Sequence, residues 1–255
     1  MEQPYPIYRV SAVSYANTLP FVFGLRNAPE RPEIDLSLDT PAECAMRLKN
    51  KKADIGLVPV AALPTLEYYE IIPGYCLGAN GPVRSVMLFS TVPAERIRKI
   101  YLDPQSRTSN NLVRLLARDF WHISPVWEMA PDDDNHLSAE EGAARVLIGD
   151  RAFYAESSYP WRYDLAAVWK EFTSLPFVFA VWAANTPVDP LFVQKFNSAL
   201  RYGILHIPEA AASVHDPKLH AAINLKNYLI SNLSYPLDNA KMAAIKMFLD
   251  MLRSL

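Results

Sequence analysis

A mainly parallel α/β fold is what this sequence predicts, on three observations. Strand-like apolar runs alternate with capped, amphipathic helices through most of the chain. A hydrophobic content of 51% in 255 residues supplies a substantial core, as one large domain or two modest ones. Prolines are many (21) and glycines few (8), the balance of ordered, punctuated connections rather than flexible linkers.

The elements follow in order. Tyr8–Val13 reads as a buried strand, then come the polar turn Ser14-Tyr15-Ala16-Asn17-Thr18 and a short helix near Pro20–Leu25. Ile34, Leu36 and Leu38 alternate with Asp35 and Ser37, the period of two that marks a strand. Thr40-Pro41-Ala42-Glu43 offers an N-cap, a proline at the first helical position and a capping glutamate, so a helix runs to about Asn50. Ala53–Val58 is a second buried strand, and Pro59–Leu63 turns into another short helix. After a hairpin-like turn at Asn80-Gly81-Pro82, Val83–Ser90 reads as one long strand. Arg84 and Ser85 inside it would then point to opposite faces. Lys99–Leu102 is a short strand, and the spacing of Leu112, Leu115, Leu116 and Phe120 makes Ser109–Phe120 an amphipathic helix.

Val126–Met129 and Val146–Ile148 are strands, with a capping box at Ser138-Ala139-Glu140-Glu141 between them. Beyond Pro187 the pattern turns helical, over Pro190–His206, Glu209–His215, Lys218–Leu233 and a last helix from about Asn239. Met242, Ile245, Phe248, Leu249 and Leu252 stripe that last helix as packing surface. Leu19-Pro20-Phe21-Val22-Phe23 recurs letter for letter at Leu175–Phe179. Its flanks favour a helix in the first copy and a strand in the second, so it is no repeat unit.

Charge and cysteine usage exclude several classes. A net charge of −2 argues against a nucleic-acid partner. Cys44 and Cys76 form no Cys-x-x-Cys pair, so buried thiols are expected and no disulfide framework or zinc knuckle. Asp132-Asp133-Asp134-Asn135-His136 lacks the glycine and spacing of a calcium loop, and His215 and His220 lack zinc-site spacing. Met1–Pro6 has no signal-peptide pattern, and no apolar run reaches the roughly 20 residues that cross a bilayer. The expectation is a soluble, cytoplasmic protein with no membrane partner and no metal.

Two turns carry the chemistry. Ser14, Tyr15, Asn17 and Thr18 gather hydroxyl, carboxamide and phenol groups at a helix start, where unpaired N–H groups hold an anion or a carbonyl. Taken alone, this turn reads first as a helix cap. A second such turn shifts the balance. In Asp103-Pro104-Gln105-Ser106-Arg107-Thr108-Ser109-Asn110, three hydroxyls, a guanidinium and the positive helix end converge, which suits a carboxylate. Open parallel sheets bind ligands beyond the carboxyl ends of their strands. Gly149-Asp150 at a strand end is a weaker candidate, since such pairs are often only turns. Neither polar turn holds a cysteine, histidine or glutamate that would serve as base or nucleophile. Any reaction must then use positioning, hydrogen bonding or the substrate's own groups.

These residues carry a resemblance. Ser14-Tyr15-x-Asn17-Thr18-Leu19-Pro20-Phe21, Ala53-Asp54-Ile55-Gly56-Leu57-Val58-Pro59-Val60, Arg84-Ser85-Val86, Asp103-x-x-Ser106-Arg107-Thr108-Ser109, Ile148-Gly149-Asp150 and Thr173-x-Leu175-Pro176-Phe177-Val178-Phe179-Ala180-x-Trp182 resemble the menaquinone-biosynthesis chorismate dehydratase family. Asn232-x-Ser234-Tyr235-x-Leu237 also fits, so the likeness covers nearly the whole chain.

The resemblance implies a two-lobed fold like periplasmic binding proteins of the second type. The chain would cross between lobes near Ser90–Pro93 and Phe177–Ala183, giving a first lobe of 1–91 plus 182–255 and a second of 92–181, with the ligand in the cleft and hinge motion between lobes. It also implies loss of water from chorismate to give 3-[(1-carboxyvinyl)oxy]benzoate on the futalosine route, without metal or organic cofactor. In the family's terms Asn17 and Ser85 lie closest to the chemistry, with the substrate's enolpyruvyl carboxylate as internal base. Ser106, Arg107, Thr108 and Ser109 would cradle a carboxylate, with Ser14, Tyr15, Thr18, Arg84 and Asp150 as further substrate contacts. Two other readings stay open. One is the dihydroxynaphthoate synthase of the same pathway, whose Ser-Pro-Cys-Pro-Asn-Asp-Thr style first motif this chain lacks. The other is a non-catalytic binding protein, which would need an export signal.

Overall fold

The computed structural model describes residues 5–131, 140–155 and 158–255. Its strands form two sheets. The first runs in the order β11 (Ser234–Pro236), β4 (Glu70–Ala79), β10 (Phe177–Ala184), β3 (Ile55–Pro59), β1 (Tyr8–Val13), β2 (Ile34–Asp39). The second runs β7 (Val126–Met129), β6 (Lys99–Leu102), β8 (Ala143–Ile148), β5 (Val86–Ser90), β9 (Trp161–Asp164). Strands β3, β5, β8 and β10 are buried at every residue, which is why each reads as an unbroken apolar run rather than an alternation.

Among the described residues, parallel pairing is confined to β1 with β2 and β3, and to β6 with β7 and β8. The strands next to the sheet changes, β5 and β10, enter antiparallel to their neighbours, so both sheets are mixed. Sheet membership changes between Ala79 and Val86 and again between Asp164 and Phe177. Both points come earlier than the crossings near Ser90–Pro93 and Phe177–Ala183 that the resemblance implies. The reason at the first is Arg84. Its φ of 62° is left-handed, and its N–H goes to Asp164 Oδ2 (2.6 Å) instead of a ladder neighbour. The expected strand Val83–Ser90 therefore shortens to β5, and Arg84 and Ser85 lie in the crossing. At the second change Ser174 is left-handed too, with φ 61°.

Helices α1 (Leu19–Asn27), α2 (Pro41–Lys49) and α3 (Thr108–Asp119) lie where expected. Thr40 and Glu43 form the full capping box of α2. The box expected at Ser138–Glu141 and the acidic run at Asp132–His136 fall on positions that reach outside the described residues. Two helices, α4 (Asp150–Ala155) and α5 (Leu165–Thr173), complete the middle of the chain. Beyond β10 come α6 (Pro190–Leu205), α7 (Ile207–Ala212), α8 (Pro217–Ala222), α9 (Leu225–Ser231) and α10 (Asn239–Leu252). The single helix expected over Lys218–Leu233 is two, because Ile223 turns extended and the Asn224 side chain caps α9 by accepting from Asn227 N–H (3.0 Å).

One apolar core runs through both sheets. Trp169 of α5, Phe177 of β10 and Phe248 of α10 meet edge to face at 5.2–6.1 Å, and Trp169 Nε1 donates to Pro176 O (3.1 Å). Helices α1 and α6 cross in backbone contact. A Cβ on Gly24 would lie 2.9 Å from Gly203 N, and one on Gly203 would run into Pro20 O.

Candidate functional site

The site starts where β1 ends. Thr18 Oγ1 donates to Tyr15 O (2.8 Å) and lies 2.5 Å from Val13 O, so this hydroxyl folds the turn 16–18 and is spent there. Pro20, in the first turn of α1, sets the helix direction with no N–H to leave unpaired. The turn holds Asn17 inward, 7% exposed, and its Oδ1 has no hydrogen-bond partner. Buried polar groups without partners are rare in proteins and costly.

The opposite wall is the loop into α3. Asp103, with a fully buried side chain, organises it. Its carboxylate accepts from Gln105 N–H (2.9 Å), Ile148 N–H (3.1 Å) and Arg151 Nη2 (2.7 and 2.8 Å). Asn110 clamps the Asp103 backbone at both its N–H and its C=O (3.0 and 2.8 Å). Ser106 Oγ then caps the helix by accepting from Ser109 N–H (3.1 Å). Thr108 Oγ1 donates to Phe179 O (3.1 Å) and accepts from Ala61 N–H (3.2 Å), tying α3 to the first sheet. Among the described residues no protein acceptor takes the N–H groups of Thr108 and Asn110, and the Ser109 hydroxyl makes no bond. The open end of α3 thus keeps unspent donors beside the positive end of its dipole.

Tyr15, Asn17, Ser106, Thr108 and Ser109 line one cavity of about 40 Å³, closed by the apolar Val13, Val86, Ile148 and Phe179. It has room for about one water molecule. Direct bonds span it. Tyr15 OH donates to Gln105 Oε1, which also accepts from Arg151 (3.2 Å), and Ala16 N–H donates to Asp150 Oδ1 (3.1 Å). Burial pushes the Tyr15 phenol up to about 12, so it stays neutral, and burial likewise holds the Asp150 carboxyl above the usual carboxylate range.

Six expected contacts do not line the cavity. Ser14 and Arg107 are exposed, and Thr18 is spent in its turn. Arg84 sits in the sheet crossing. Asp150 reaches the Ala16 backbone and so fixes the turn that carries Asn17. Ser85 is buried next to the lining residue Val86; its C=O accepts from Gly149 N–H (2.9 Å) and its Oγ from Tyr228 OH (2.7 Å). Gln105, Arg151 and Tyr228 are not among the contacts that the sequence predicts. Only Arg151 left a signal, as the cation directly after Gly149-Asp150 at a strand end.

Gly149 carries its own expectation. Its φ is +63°, and a Cβ there would sit 2.8 Å from the Tyr15 ring. Gly149→Ala should cost about 2 kcal/mol through the left-handed backbone alone, and should also push Tyr15 from Gln105. A thermal melt reads the first effect. Loss of the exchange protection expected at the Ala16 amide reads the second, and an unchanged melt would contradict the packing described.

Among the described residues no helix is long and apolar enough to cross a membrane, and no group of three or more His, Cys, Asp or Glu could hold a metal ion. A family model described as menaquinone biosynthesis matches residues 8–254. The chain is 29% identical over 222 residues to a chorismate dehydratase of Thermus thermophilus, covering 78% of this chain and 80% of that one. It is 27% identical over 173 residues to a chorismate dehydratase of Campylobacter jejuni, covering 66% of this chain and 63% of that relative, a little under two thirds of its length. In structure it is similar to a Candida albicans protein described as having the generic periplasmic binding protein fold, with a TM-score of 0.67, 13% identity, and 98% and 91% of the two chains covered.

Proposed function

We propose, from the premise that this chain belongs to the menaquinone-biosynthesis family, that it is a chorismate dehydratase, a carbon–oxygen lyase. The observation that carries the reading is Asn17. Its buried, unpartnered Oδ1 faces a helix start with unspent N–H groups, across a cavity whose lining holds no histidine, cysteine, lysine or carboxylate. Such a wall binds an anion and a polar reacting end but offers no strong base of its own.

Chorismate fits that chemistry. It loses the proton at ring C3 and the hydroxyl at C4, giving 3-[(1-carboxyvinyl)oxy]benzoate and one water. The ring carboxylate acidifies the C3 proton by conjugation, and the second carboxylate supplies the base the wall lacks. In this reading the start of α3, with Ser109 and the N–H groups of Thr108 and Asn110, holds a carboxylate. Asn17 holds the reacting end, and Ser85 orients the leaving hydroxyl. The ring becomes aromatic as water leaves, so positioning does most of the protein's part.

The cavity is too small for a ten-carbon dianion, so the reading includes opening. We assign β1–β4, β10 and β11 with α6–α10 to one lobe and β5–β9 to the other, divided at the two sheet changes and not at residues 91 and 182. Their parting would break the Tyr15–Gln105 and Ala16–Asp150 bonds across the cleft. Incubation of the purified protein with chorismate, followed by mass spectrometry, should show a product lighter by one water. Unchanged chorismate beside tight binding would instead establish a binding protein.

A further inference from the structure

We propose that Tyr228 is the positioning residue for Ser85, an inference that rests on the dehydratase reading. Ser85 and Tyr228 are each 1% exposed, and Tyr228 OH donates to Ser85 Oγ at 2.7 Å. No other hydrogen bond involves either hydroxyl among the described residues. A serine hydroxyl has one proton and two acceptor sites. With one acceptor site filled by the phenol, Ser85 keeps its proton to donate, and its rotation about Cβ–Oγ is restricted.

Three features hold the phenol in that role. Tyr228 lies on α9, in the C-terminal helical layer, while Ser85 lies in the first sheet crossing, so the bond joins parts of the chain that separate structures supply. The Tyr228 ring meets Phe153 of α4 edge to face at 4.9 Å, which fixes its plane. Complete burial drives the phenol well above its ordinary range, with the Asp150 and Asp164 carboxylates adding to the shift, so it remains a neutral donor. Downstream, Ser85 C=O holds Gly149 N–H, and Val86 and Gly149 both line the cavity. The donor direction of Ser85 is thus set from outside the cleft, by a residue that does not touch substrate.

A double-mutant cycle tests this on the whole protein. Tyr228→Phe keeps the ring and its contact with Phe153, and should lower kcat about tenfold with KM within about twofold, the pattern of a hydrogen bond that acts through orientation. In a Ser85→Ala background the same change should cost nothing further. Melting temperatures give an independent reading. Ser85→Ala leaves a buried phenol unpaired, so it should melt lower, and adding Tyr228→Phe should restore part of the loss. An active wild type with an unaffected Tyr228→Phe, or losses that multiply in the double variant, overturns the assignment alone. A wild type that leaves chorismate unchanged overturns the dehydratase reading as well.

Discussion

Asn17→Ala should lower turnover of chorismate by about 10²–10³-fold, the loss seen when one preorganised hydrogen-bonding group is removed from a transition state, while leaving the melting temperature level or higher. The second half of that expectation comes from geometry. Asn17 Oδ1 is buried and unpartnered, so its removal breaks no bond within the protein. Relief of an unsatisfied buried acceptor is worth about 1–3 kcal/mol, against which stands the small cavity left by the shortened side chain. Activity and stability should therefore move in opposite directions. Turnover measured beside a thermal melt checks both. A variant that loses activity and stability together would mean that Asn17 supports the turn, and a variant of normal activity would remove it from the chemistry.

Arg151→Ala should destabilise the protein by about 3 kcal/mol, the cost of leaving a buried charge without its partner. Asp103 has a side chain with no exposure, and Arg151, 27% exposed, is the cation paired with it. For a chain of this size that loss corresponds to a fall in melting temperature of roughly 6–12 °C. Arg151→Lys should recover only part of it, because the lysine side chain is shorter and its ammonium more strongly hydrated than the guanidinium nitrogen Nη2 that now meets both Asp103 oxygens and Gln105. A second variant separates the two partners. With Asp103→Asn also present, the carboxylate is gone and the penalty of Arg151→Ala should shrink. Equal penalties in the two backgrounds would show that Arg151 acts elsewhere.

Local signals made much of this molecule legible, and distant ones did not. The two polar turns are visible because a helix start needs its caps within a few residues, as at Thr40–Glu43 and Ser106–Ser109. The ends of β1, β6 and β8 follow from apolar runs broken by polar residues. Strand β4 is absent from the sequence expectations, and it contains Pro73 and Gly74, two residues that strands disfavour. The sheet absorbs them because register shifts accompany its pairing with β10 and β11. Leu-Pro-Phe-Val-Phe opens α1 in one place and enters β10 in the other, so tertiary context decides there. The role of Arg151 is not legible in sequence because its partner lies in another loop, and that of Tyr228 because nothing around it in sequence points to Ser85. Thr108 looked like part of an anion cradle, yet both sides of its hydroxyl are engaged by backbone of the first sheet's side.

The backbone contact between α1 and α6 has a consequence for anyone screening variants of this protein. Asn17 sits just ahead of α1, and α1 touches α6 through Gly24 and Gly203 with no side chain between them. A substitution at Gly203 has no polar atom to lose and lies far along the chain from either polar turn. It would nevertheless force α1 outward and carry the Asn17 turn with it. In a genetic screen for lost activity, Gly203 should therefore score beside the residues that meet the substrate.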